Sequence, residues 1–129
     1  MVDLSSYIRQ VRGTYSAIAA KIEELVLILN ESKEENDPHT TALAQRIETF
    51  LASLQQSLKL GTKSAKSLPK DKQKQFLTLV KTELTEIKQL RTFITLSTKN
   101  PAPKVITKIH ELYKEIEKEL AGSEALARS

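Results

Sequence analysis

The sequence predicts an all-α protein, folded as an antiparallel up-down-up-down four-helix bundle. Three observations predict it. Apolar residues recur at alternating spacings of three and four through four segments, the rhythm of one buried helix face. No sustained alternation of β-branched and polar residues marks a strand. The 3 glycines and 4 prolines are sparse, and most stand near the boundaries between those segments. Aromatic residues make up 5% of the chain and tryptophan is absent, so the core must be aliphatic. At 129 residues the chain suits a single domain, expected over residues 1–122.

The first helix is expected at about 4–30. Leu4, Ile8, Val11, Tyr15, Ile18, Ile22, Leu25 and Leu29 form an unbroken heptad seam. Asp3 or Ser5 can cap its start. Such a helix is roughly 40 Å long and needs partners to cover its seam. Gly13 within it reads as a tolerated surface glycine.

Residues 30–37 hold no apolar side chain and read as a loop. Asp37-Pro38 then gives an N-cap followed by proline at the first helical position. The second helix is expected at 38–61, with Leu43, Ile47, Phe50, Leu54 and Leu58 inside and Leu51 alongside. Gly61 is a natural residue to end it.

The third helix, about 69–97, carries Phe76, Leu77, Val80, Leu84, Ile87, Leu90, Phe93 and Ile94. Asn100-Pro101 ends it, because proline cannot extend the hydrogen-bond ladder. The fourth, about 103–121, carries Val105, Ile106, Ile109, Leu112, Tyr113, Ile116 and Leu120, and Gly122 closes it. Residues 123–129 are expected to be a disordered tail. The alternative arrangement is a three-helix bundle with the fourth helix loosely docked or swapped to a partner.

Composition excludes several chemistries. Without cysteine there is no disulfide, thiolate metal site or cysteine nucleophile. No Gly-rich phosphate loop or Gly-x-Ser-x-Gly elbow occurs. Neither His39 nor His110 follows a glutamate three residues earlier, as carboxylate-bridged dimetal bundles require. Glu83, Glu86, Glu111 and Glu115 each neighbour lysines at helical spacing and read as solvated ion pairs. No catalytic, cofactor or metal site is therefore expected. His110 is a remote candidate for histidine phosphotransfer, but Glu111 beside it would repel a phosphoryl group. No secretion signal or membrane-length apolar run is visible, so a cytoplasmic protein is expected.

Two candidate binding surfaces follow. The first is an apolar face for a helix of another protein: Leu25, Val26, Ile28, Leu29, Leu51, Leu58 and Leu60. The second is Lys59, Lys63, Lys66, Lys70, Lys72 and Lys74, six lysines against Asp71 alone. Residues 59–74 thus carry a net +5 where the whole chain carries +4. Such a run attracts acidic membrane or nucleic acid, or it is simply a soluble hairpin. No arginine lies in it, and its nearest aromatic, Phe76, belongs to the expected core, so nucleic acid suits it less well. The acidic tract at 31–37 is expected at the opposite end of the bundle, giving the molecule a dipole along its length.

The order of elements resembles the N-terminal Habc three-helix domain of syntaxin-type SNAREs. It does so over Tyr7-Ile8-Arg9 through Leu29, the polar gap at 30–37, Ile47 to Leu58, the turn at 61–70, and Phe76 to Ile94. No diagnostic motif accompanies the likeness, and the fourth helix departs from it. The resemblance implies a regulatory docking module in membrane traffic and transfers no functional residue. The function expected overall is non-catalytic: a protein-interaction or scaffolding module, with polyanion binding through the lysines as the alternative.

Overall fold

The computed structural model describes residues 4–32 and 34–128. The chain forms four helices, α1 (Leu4–Ser32), α2 (Pro38–Gly61), α3 (Lys70–Lys99) and α4 (Pro103–Ala127), with a 3-10 segment (Thr62–Ser67) between α2 and α3. No strand occurs among the described residues. Consecutive helices pack against each other, and α4 closes the ring by packing against α1. This is the up-down-up-down bundle. α4 is an integral wall between α3 and α1, not a loosely docked addition.

The seam of α1 is buried along its whole length, from Leu4 to Leu29. Ala44, Ile47, Leu51, Leu54 and Leu58 of α2 meet it, with Phe76, Val80, Ile87, Leu90 and Ile94 of α3. Each fully buried aliphatic side chain contributes about 1.5–3 kcal/mol relative to exposure. Tyr15 lies inside this core, and its hydroxyl donates to the Tyr113 carbonyl at 2.6 Å. Burial first, and then nearby negative charge, pushes the Tyr15 hydroxyl up, so it remains a neutral donor.

The starts and stops have local causes. The Asp37 carboxylate accepts from the Thr40 N–H at 2.9 Å and the Thr40 hydroxyl at 2.8 Å, with Pro38 opening α2. Asn36 takes the left-handed conformation (φ 55°) that asparagine tolerates, and its N–H donates to the Thr98 carbonyl at 2.7 Å. That bond ties the α1–α2 connection to the end of α3. Asn100, before Pro101, leaves the helical conformation and ends α3, and Pro103 opens α4. The expected cap Asp3 lies outside the described residues, and Ser5 sits within α1, buried.

Four details differ from the sequence reading. Leu51, not Phe50, points into the core, and Phe50 is 41% exposed. Leu77 also faces outward. Gly61 does not end the helix in a left-handed turn; its φ is −62° and the chain continues into the 3-10 segment. A Cβ there would run into the ring of Tyr7, so this glycine serves close helix approach. Finally, α4 does not stop at Gly122. It runs on to Ala127, where a disordered tail was expected, because Ser123, Glu124 and Ala127 are buried against the bundle. Ser129 lies outside the described residues.

Candidate functional site

The six lysines gather at one end of the bundle. Lys59 closes α2, Lys63 and Lys66 lie on the 3-10 segment, and Lys70, Lys72 and Lys74 open α3. Lys72 is half-buried and the other five are exposed. None is ion-paired with a carboxylate among the described residues. Leu60, next to Lys59 in the last turn of α2, has 59% of its surface exposed. Phe76 is fully buried, so no aromatic platform accompanies the charge.

The start of α1 and the end of α4 reach the same end. The Tyr7 hydroxyl donates to the Ser57 carbonyl, joining α1 to α2. Arg12, Arg9 and Arg128 converge on Glu124, whose carboxylate is 3% exposed. The Arg12 contact, opposed by burial and helped by Arg9 and Arg128, holds the Glu124 carboxyl below the usual range. Its charge is thus taken up by arginines and does not neutralise the lysines. At the opposite end lie Glu31, Glu34, Glu35 and Asp37, but Lys99 and Lys104 flank them. The expected dipole is therefore a strongly positive end facing one of mixed charge. Lys33 of that tract lies outside the described residues.

The expected apolar docking face is not assembled. Leu25, Leu29, Leu51 and Leu58 are core residues at 0–1% exposure. Val26 packs partly against the same core and Ile28 is half-buried. Of the seven, only Leu60 is freely exposed, and it belongs to the lysine end. The wider apolar stripe of α1 and α2 serves two neighbours each within the bundle.

His110 is exposed on α4, with its ring edge-on to Tyr113 at 5.3 Å between centroids. His39 is exposed in the first turn of α2.

A second cluster was missed. Glu83 is buried and Glu86 half-buried, and Glu115, though solvated, is in no ion pair among the described residues; with Glu119 they gather between α3 and α4. Glu83 is completely buried, and its Oε2 accepts from the Ser123 hydroxyl at 2.5 Å while Oε1 has no partner. Burial pushes its carboxyl up to about 7, against the Ser123 hydrogen bond and with the Glu86 charge adding to the rise. Glu119 is pushed up to about 8, first by burial, then by its hydrogen bond with Glu86 and by the Glu86, Glu83 and Glu115 charges. Burial likewise raises Glu86, while Lys108 pulls the other way. A hydrogen bond between two carboxyl groups requires that one keep its proton. Glu111 stands apart, exposed to solvent.

One signal for this cluster was present. Glu83 occupies the seam position between Val80 and Ile87, where spacing of three and four calls for an apolar side chain.

No helix of the described residues is long and apolar enough to cross a membrane. No protein-family model, curated protein or solved structure matches the chain.

Proposed function

We propose that this chain is a non-catalytic binding module that docks through its lysine-rich end on an acidic membrane surface. The observation that carries the reading is the set of six lysines, unpaired among the described residues and gathered at one end with an exposed leucine next to Lys59. A lysine near an anionic bilayer contributes about 1 kcal/mol. Leu60 adds what charge alone lacks, an apolar side chain able to enter the headgroup boundary. Nucleic acid gains nothing from that leucine, and no arginine or stacking ring of the run would serve it. The apolar face expected for a helical partner gains less support, since four of its seven residues are in the core. The cytoplasmic leaflet, rich in anionic lipid, is the surface that suits this end. A docking role in membrane traffic, implied by the likeness to Habc domains, accords with it.

Flotation with lipid vesicles tests the proposal. Wild type is expected to float with vesicles containing phosphatidylserine, to stay behind with neutral vesicles, and to dissociate in high salt. Reversing Lys63, Lys66, Lys70 and Lys72 to Glu is expected to weaken binding by at least about a thousandfold. Leu60→Ser is expected to weaken it about tenfold. Equal flotation of wild type and the reversed variant overturns the reading. So does failure to float together with capture of an oligonucleotide, which would make the run a nucleic-acid contact.

A further inference from the structure

The α3–α4 seam gathers acidic groups that no base meets in an ion pair among the described residues. One carboxylate oxygen from each of Glu86, Glu115 and Glu119 lies within 4.8 Å of the others. Ligand bonds of about 2.0–2.6 Å allow one ion to reach oxygens at that separation. No ammonium or guanidinium is ion-paired with any of the three among the described residues. Lys108 is the one cation whose charge is felt at Glu86.

Acidic side chains on neighbouring helices often meet only solvent, so the cluster alone would mean little. Glu83 is the independent observation. Its carboxyl is fixed in the same seam by the hydrogen bond to Ser123 on α4, one helical turn beyond Glu119. On α3 it stands one turn before Glu86. It is completely buried, and Oε1 has no donor. A buried carboxylate oxygen without a partner costs several kcal/mol unless the group takes a proton or a cation approaches it. The sequence spends a core position on this group where an aliphatic residue would pack better.

We propose that the α3–α4 seam is a binding site for one divalent cation. Glu86, Glu115 and Glu119 are its direct ligands, and Glu83 Oε1, deeper in the same seam, is the acceptor for a water on that ion. The donor set is all oxygen, without histidine or cysteine, which selects a hard cation such as Mn²⁺, Ca²⁺ or Mg²⁺ over zinc or copper. Glu115 is exposed and gives the ion a path in, while Glu83 closes the inner side. The bound ion bridges α3 and α4 and takes the place of the proton held between Glu86 and Glu119, which leaves to solvent.

The test uses the full chain, stripped with chelator and titrated with Mn²⁺ at neutral pH while the free-ion paramagnetic resonance signal is read. Wild type is expected to take up about one Mn²⁺ per chain, and its melting temperature to rise as Mn²⁺ or Ca²⁺ is added. Glu119→Gln and Glu86→Gln preserve shape and hydrogen-bonding capacity, so both are expected to fold. Each is expected to bind at least about tenfold more weakly and to lose the thermal shift. The Lys63, Lys66, Lys70 and Lys72 reversal is expected to keep the site, which separates this test from that of membrane docking. Three results would each overturn the proposal: no uptake by wild type at millimolar Mn²⁺; uptake undiminished in Glu119→Gln; or a melting temperature that follows pH and ignores every divalent cation, showing that protons alone satisfy the cluster.

Discussion

Gly13 and Gly61 both stand in helical backbone, and they ask opposite things of a side chain. Nothing lies within 4 Å of a Cβ built on Gly13. Gly13→Ala is therefore expected to stabilise the bundle by about 1 kcal/mol, since only helix propensity changes. A Cβ on Gly61 meets the Tyr7 ring, which is held by its hydrogen bond to the Ser57 carbonyl. Gly61→Ala gains the same propensity but forces Tyr7 aside, and overpacking of this kind costs about 1–3 kcal/mol. The net expectation is a loss of about 1 kcal/mol in urea unfolding. In a Tyr7→Ala background that loss is expected to vanish, giving a coupling between the two sites. A gain at Gly61 equal to that at Gly13 would show that no close approach exists there. The sequence distinguishes the two only in part: Gly13 reads correctly as a surface position, but a contact with Tyr7, 54 positions away, leaves no local trace.

Among the elements, legibility followed the regularity of the seam. The α1 heptad was complete, and its residues are all buried. In α2 the true seam is Ala44, Ile47, Leu51, Leu54 and Leu58, and reading past the small Ala44 shifted one step onto Phe50. In α3 and α4 polar residues fill seam positions. Glu83 continues the rhythm of Val80 and Ile87, and Ser123 and Ala127 continue that of Ile116 and Leu120. Reading only large apolar types hid both the buried carboxyl and the last turn of α4. Asp37-Pro38 was legible because its capping chemistry is local.

Two ionised carboxylates hold element ends and set the response to acid. Asp37 is lowered from 3.8 by hydrogen bonds from the backbone and hydroxyl of Thr40, and Glu124 is lowered from 4.5, first by Arg12. A folded value below the unfolded one means stability that is present above the ordinary value and lost as pH falls through the folded value. The start of α2 and the end of α4 are therefore expected to loosen below about pH 4, before the central core does. Carboxyl carbon and Thr40 amide shifts, followed by NMR from pH 6 to pH 2, read this directly. Midpoints at or above the ordinary values would remove both groups from the anchoring role.

At the scale of the whole molecule, the question is how a rod with one charged end meets a surface. A helix of 30 residues, the length of α3, spans roughly 45 Å, whereas the screening length at physiological salt is about 8 Å. A surface potential therefore acts on the near end of the bundle and hardly on the far one. Residues 59–74 carry net +5 and the remainder of the chain net −1, so the attraction is concentrated in the turn between α2 and α3. Lying flat would bring the sides of the bundle to the bilayer without adding net attraction, and would lift most of the lysines away. The bundle is thus expected to stand with its lysine end down. The absence of cysteine makes the test simple, because a single introduced thiol is the only one present. An environment-sensitive dye on Ser64→Cys, exposed among the lysines, is expected to shift to the blue on phosphatidylserine vesicles and to be quenched by nitroxide-labelled lipid. The same dye on Glu35→Cys, exposed at the far end, is expected to do neither. Equal quenching at both sites would mean that the molecule lies along the membrane. Its contact would then run the length of the helices, and the end-on distribution of charge would not govern its orientation.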